Sequence, residues 1–332
     1  MSTRTVESRS RAPELVINHL GLLSAIFILI AMSVSYFALD PTALADSTFT
    51  SILNSALPLM MAAAAETVVL LGGGIDLSVG AVMSLVSVIA ATEMGGGAGS
   101  MLLWSVLVVA LGCVIGFLNG VLVEFARIPA FIATLATQEV IQGVSLGVLG
   151  SPGGNIPTSY SSVMLGTSFG YIPNSGIIAL ILLGLYYLFR HVRSFRWLYA
   201  VGSDRQAARI NGINDRRVVI GSYVVCAGIA AVAGLTFASL LSSGDPIQGL
   251  NYLLPCIAAA VIGGTSVFGG KGGIHGGIVG ALILTVLASL LFAANVTPFY
   301  EAFFTGLATV LIVGIGVVID RYASARSARI VA

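Results

Sequence analysis

Three acidic side chains, Glu66, Asp76 and Glu139, fall inside long apolar stretches of a 332-residue chain. A carboxylate at membrane depth is costly, so each marks a candidate point on a pathway or gate. Near Glu139 lies a polar stripe, because Thr134, Gln138 and Gln142 recur every four residues and share one helical face. Such a stripe either hydrogen-bonds a hydroxylated solute or glues two helices together, and gluing is the plainer reading for any one Thr or Gln. Glu139 is about one helical step off the stripe and need not face the same cavity. Asp76 follows Gly72-Gly73-Gly74-Ile75 and precedes Leu77-Ser78-Val79-Gly80. The glycines interrupt the apolar run, and the carboxylate can cap the helix that restarts there. This break either borders a pathway or moving gate, or is a tight hairpin between helices.

Other chemistry is excluded. Gly263-Gly264-Thr265-Ser266-Val267-Phe268-Gly269-Gly270-Lys271-Gly272-Gly273 superficially resembles a phosphate loop, but Gly272 stands where Ser or Thr is required and Thr265 where the first Gly is. No buried His/Cys/acid cluster, H-E-x-x-H or nucleophile elbow is present. No catalytic residue, metal site or cofactor is expected on this chain. His19, His191 and His275 read as interfacial, and Cys113, Cys226 and Cys256 as small buried hydrophobes. The net charge of +1 leaves no basic surface for nucleic acid.

The elements that must position the acids are membrane helices. With 57% hydrophobic and 9% charged residues, against about a quarter charged in soluble chains, the composition is that of a polytopic all-α membrane protein. At about 20 residues per span, about ten segments fit. They read as 17–39, 51–71, 77–93, 101–123, 129–149, 175–189, 218–242, 250–268, 276–294 and 302–319. The third and eighth are Gly-rich and are the candidates for broken or re-entrant helices. One set of alternate loops then carries all 15 basic residues, so both termini are expected in the cytoplasm. The division is a cytoplasmic tail (1–16), one transmembrane domain (17–320) and a second cytoplasmic tail (321–332). Ala43-Leu44-Ala45 looks like a signal cleavage site, yet the apolar run before it is too long for one and reads as a retained span.

The loop 190–217 holds seven arginines. After Gly202, a short helix capped by Ser203 or Asp204 is expected through Arg205, Ala207, Ala208 and Arg209, stopping near Asn211-Gly212. A basic, Ala-faced helix between two spans suits docking of a soluble partner better than a merely solvated loop.

Four motifs occur in order: Gly73 to Gly80; Pro129-Ala130-Phe131-Ile132-Ala133-Thr134-Leu135; Ala200…Gly202…Ala207-Ala208-Arg209…Gly212-Ile213; and Ile257-Ala258-Ala259…Gly263-Gly264-Thr265-Ser266…Gly269-Gly270. From about residue 50 onward the chain resembles the permease subunits of ribose-type ABC importers. The resemblance implies a multi-pass subunit of the bacterial inner membrane that imports a monosaccharide or sugar-like solute by alternating access. It also implies three partners: a second permease copy or paralogue, a periplasmic solute-binding protein, and a cytoplasmic ATPase that holds the ATP and Mg. Within it, 199–214 corresponds to the ATPase-coupling segment. Two departures remove charge: Leu254-Pro255-Cys256 replaces an acidic pair before Ile-Ala-Ala, and Gln142 replaces an Arg before Gly143. A nucleoside or branched-chain amino acid permease of the same superfamily, and an ion-coupled secondary transporter using Glu66, Asp76 and Glu139, are the alternatives.

Overall fold

The computed structural model describes residues 12–40, 45–297 and scattered positions between 300 and 314. The helices α1 (Ala12–Leu39), α2 (Asp46–Leu71), α3 (Val79–Glu93), α4 (Ala98–Glu124) and α5 (Ala130–Val148) come first. Next are α6 (Thr158–Leu165) and a small antiparallel hairpin of β1 (Thr167–Ser168) and β2 (Ile172–Pro173). The chain continues through α7 (Asn174–Phe189), α8 (Arg193–Ser203), α9 (Arg205–Ile210) and α10 (Asp215–Leu241). A 3-10 turn (Gln248–Tyr252), α11 (Leu253–Ile262) and α12 (Ile274–Ala293) complete the described elements.

Among the described residues, six helices are long and apolar enough to cross a membrane, or seven if α7 and α8, bent by 83°, count as one span. The two Gly-rich segments are indeed the short ones, α3 with 15 residues and α11 with 10. The tenth expected segment, 302–319, lies largely outside the described residues, as do Arg4, Arg9, Arg11 and the 321–332 tail.

The centre of the bundle is α2. Every residue from Ala56 to Leu71 is buried. A helix apolar on all sides has to be enclosed by others, and α10, α12 and α11 enclose this one. The packing pattern then repeats. α2 and α10 touch; α3, which follows α2, packs on α10, and α11, which follows α10, packs on α2. The next helix in each set does the same, with α4 on α10 and α12 on α2. Both outer helices approach through glycines. A Cβ at Gly112 would stand 2.6 Å from the Ala227 carbonyl oxygen, and one at Gly116 would stand 2.7 Å from the Tyr223 carbonyl carbon. On α12, a Cβ at Gly277 would meet the Thr67 hydroxyl at 2.8 Å. Without a hydrophobic effect between helices in lipid, such close backbone approach is what holds them together.

The end of α2 and the start of α10 lie at the same end of the bundle, since α8 packs on Leu71 and the adjoining α9 pairs with Asp215. The chain breaks after each helix therefore fall at opposite ends. Residues 72–78 form the first break, and 242–247 form the second, where Gly244 pairs with Gly153 of the 150–157 loop.

Replacing Gly116 by Val should separate α4 from α10 and lower stability by about 1–3 kcal/mol or more. The check is a drop in thermal midpoint of the detergent-purified protein, with Gly99→Ala, which has open space around it, as the unaffected control.

Candidate functional site

At the first break the backbone leaves α2 through Gly72, turns at Gly73 with φ +79°, and folds back until Asp76 lies against Glu66. A left-handed φ of this kind is cheap only for glycine. The Asp76 N–H donates to Glu66 Oε1 at 3.2 Å. Asp76 Oδ1 accepts from the Ser78 N–H at 2.9 Å and the Ser78 hydroxyl at 2.6 Å. Asn119, from α4, donates its amide to Ser78 Oγ at 2.9 Å. The Tyr223 hydroxyl of α10 donates to the Ile75 carbonyl at 3.3 Å. Glu66, Asp76, Ser78 and Asn119 are all fully buried. Asp76 is therefore not the N-cap that the sequence suggested: Ser78 holds that position in α3, and the Asp76 carboxylate instead closes a turn onto Ser78 ahead of the helix.

Polar satisfaction here is incomplete. Glu66 Oε2, Asp76 Oδ2 and Asn119 Oδ1 have no hydrogen-bond partner among the described residues. Each such buried acceptor costs about 1–3 kcal/mol, so the break is held at an energetic disadvantage. Every charged group bonded in this cluster is an acid.

The stripe on α5 clasps both breaks. Thr134 Oγ1 accepts from the Leu77 N–H at 3.1 Å, in the first break. Two turns along, the Gln142 amide donates to the carbonyl of Pro246, in the second. Between them Gln138 is buried and donates to Glu139 at 3.3 Å. The stripe therefore serves the contacts between elements, and Glu139 alone of the α5 candidates is exposed. This corrects the expectation that Glu66, Asp76 and Glu139 are the well-buried acids. Glu124, Asp215 and Asp245 are buried, and Glu139 is not. Sequence pattern missed the first two because they sit at helix ends, where acids are ordinarily solvated. Asp245 lies within the second break as Asp76 lies within the first, accepting from the N–H groups of Ile247 and Gln248 at 2.8 Å. A signal was available in its Gly-Asp-Pro setting.

At the end of α2, three motifs far apart in sequence meet backbone to backbone. A Cβ on Gly202 of α8 would overlap the Leu71 carbonyl oxygen and lie 2.7 Å from the Gly270 nitrogen. The Gly270 N–H donates to that same Leu71 carbonyl at 3.0 Å. A Cβ on Gly269 would fall 2.7 Å from the Gly202 oxygen and 3.0 Å from Gly73. Tyr199 adds a side-chain tie, its hydroxyl donating to the Gly272 carbonyl at 2.9 Å. The 263–273 loop, which failed the nucleotide test, thus serves as a packing surface.

The loop helix forms as its residues suggest. Asp204 caps α9 by accepting from the Ala207 N–H at 2.9 Å, and Gly212, with φ +77°, lies just past its end. Ala208 is buried beneath it, while Ala207 is exposed and Ile210 is 79% exposed. Arg205 bonds to both Glu124 and Asp215, and Arg209 donates to Asp215 at 2.7 Å. Its hydrogen bond to Asp215 raises the Arg209 guanidinium pKa further. Sequence missed α8 as a separate helix and Ile210 as the apolar tip of this surface.

Apolar helices broken at both ends of a bundle, around a buried polar cluster and beside an exposed loop helix, define a membrane permease. A family profile described as a branched-chain amino acid transport system / permease component matches residues 48–313. The ribose import permease protein RbsC of Escherichia coli (strain K12) is 33% identical over 306 residues, 91% of this chain and 94% of that protein. Its namesake in Bacillus subtilis (strain 168) is 34% identical over 317 residues, covering 93% and 95%. The autoinducer 2 import system permease protein LsrC of Yersinia pseudotuberculosis serotype O:1b (strain IP 31758) is 33% identical over 291 residues, covering 87% and 80%. No solved structure matches. The chain belongs to this family of ABC importer permeases, and as a transport subunit it is not itself an enzyme.

Gly202→Ala should force α8 off the end of α2. Limited proteolysis within 190–217 should accelerate severalfold in the variant, and Gly96→Ala, with nothing near its Cβ, should leave the rate unchanged.

Proposed function

We propose that this chain is the membrane-spanning subunit of an ATP-driven importer that moves a monosaccharide or similar hydroxyl-rich solute into the bacterial cytoplasm. The observation that carries the reading is the glycine junction. It fastens α8, which runs straight into the exposed loop helix α9, to the end of the broken α2, so a push on the loop is passed through α8 to the break. The loop end of the bundle is then the cytoplasmic one, consistent with the arginine-rich alternate loops. A separate ATPase, which holds the ATP and Mg, docks on the face bearing Ala207 and Ile210, and a periplasmic solute-binding protein delivers solute at the other end. Both chain termini lie on the cytoplasmic side of the inner membrane. Breaks at opposite ends, clasped by one helix, suit alternating access, in which one end loosens while the other stays closed.

The solute class rests on the charge at the break and on the relatives' names. Acids and hydroxyls there accept from or exchange hydrogen bonds with sugar hydroxyls, whereas an amino acid carboxylate needs a cation. The family description favours a second reading, a branched-chain amino acid, and the same assay separates the two. Glu139 points to the remaining partner. An exposed carboxylate near the middle of α5 is costly against lipid, so that face meets a second permease copy or paralogue.

The test is reconstitution with ATPase and binding-protein partners in liposomes. Hydrolysis should rise when a ribose-type binding protein is loaded and stay basal with a loaded amino acid-binding protein. Deleting 203–212 should abolish ATPase co-purification while membrane insertion persists. Uptake that survives ATP depletion but collapses with an uncoupler would overturn the reading in favour of ion coupling.

A further inference from the structure

The ion pairs beneath α9 have a geometry that docking alone does not require. Arg205 leads the helix that carries the exposed Ala207 and Ile210, yet its guanidinium bonds inward to two acids on different spans. Glu124 is the last residue of α4 and Asp215 the first of α10. Their side chains are 3% and 8% exposed, so parting from arginine would strand a buried carboxylate, a far costlier event than losing a surface pair. Glu124 is the more dependent of the two, because its Oε1 already lacks a partner among the described residues. Asp215 by contrast keeps a second arginine, Arg209.

Five residues back along α4 from Glu124 stands Asn119, about 7–8 Å up the helix axis. Asn119 grips Ser78 and Asp76 at the break. This part of α4 is seated closely on the α10 backbone, through Gly120 within the stretch and Gly116 just before it. We infer that Glu124 is a positioning residue that gears α9 to the break, α4 acting as the rod and Asn119 as its far end. This gearing is distinct from the glycine junction, which reaches the break through α2. It rests on the reading of α9 as the ATPase-docking helix.

The assembled transporter in liposomes provides the test, read as solute imported per ATP hydrolysed. Glu124→Gln should lower that ratio about tenfold, within the usual span of coupling between sites. ATPase co-purification is scored separately: its absence with the unaltered chain counts against the proposed function, not against the gearing. Asn119→Ala should lower the ratio similarly, and the double variant should be no worse than the poorer single, because both cut one rod. An unchanged ratio in Glu124→Gln, or losses that multiply in the double variant, would overturn the inference. Should Glu124→Gln fail to insert, spin labels on Gln206→Cys in α9 and Leu118→Cys in α4, in a complex whose partly exposed Cys113 is replaced by Ser, decide it. Their separation should hold within about 2 Å between ATP-free and ATP-bound states, and a larger change would show that α9 and α4 move independently.

Discussion

The Leu71 carbonyl is where the architecture converges. It is the last carbonyl of the central helix, beyond the reach of that helix's own donors; it accepts from Gly270 and lies so close to Gly202 that no side-chain carbon fits between. In water such a contact would compete with solvent for the carbonyl. Leu71 is fully buried, so its carbonyl has to find a donor within the protein, and the Gly270 N–H supplies it. Glycine at both approaching strands is the only way to bring one that near. Once that contact is made, α8 is fixed against α2, α9 against α4 and α10, and the 263–273 loop beneath them.

The break beyond this contact is strongly organised yet incompletely satisfied. Its backbone is held by Thr134, Tyr223 and Glu66 from three helices. One of its own side-chain oxygens, Asp76 Oδ2, and two that face it, Glu66 Oε2 and Asn119 Oδ1, nevertheless lack partners among the described residues. The break is thus anchored through its backbone while carboxyl and amide oxygens around it have no donor among the described residues, an arrangement that suits the gating role proposed for it. The second break is tied more conservatively, with Asp245 capping its own turn and Ser87 bonding the Asp245 backbone at 3.2 Å. The α5 stripe spans both, so neither break can move far without the other registering it.

Local patterns were legible wherever a short-range rule governs. The cap of α9 by Asp204 and its stop at Gly212 follow from residues within one turn of each other. Gly112, Gly116 and Gly120 recur every four residues, a spacing that calls for a close partner helix but does not say that α10 supplies it through Ala227 and Tyr223. Glu139 and Glu124 went the other way. Both are acids near apolar runs, and spacing alone cannot say which of them faces a neighbour carrying an arginine.

The sequence by itself determined a polytopic helical membrane protein, a glycine break after its second segment and a short capped helix in the basic 190–217 loop. Those properties are set by hydropathy, glycine placement and charge over a few dozen residues, and they read directly from the chain. Only the tertiary structure decided that Gly73, Gly202 and Gly270 form one junction, that Thr134 and Gln142 clasp opposite breaks, and that Arg205 is buried-acid anchor as much as docking charge. Each of these is a contact between segments some fifty to two hundred residues apart. In a chain this apolar many such pairings are sterically possible. Packing selects the one that leaves the fewest polar groups alone in lipid.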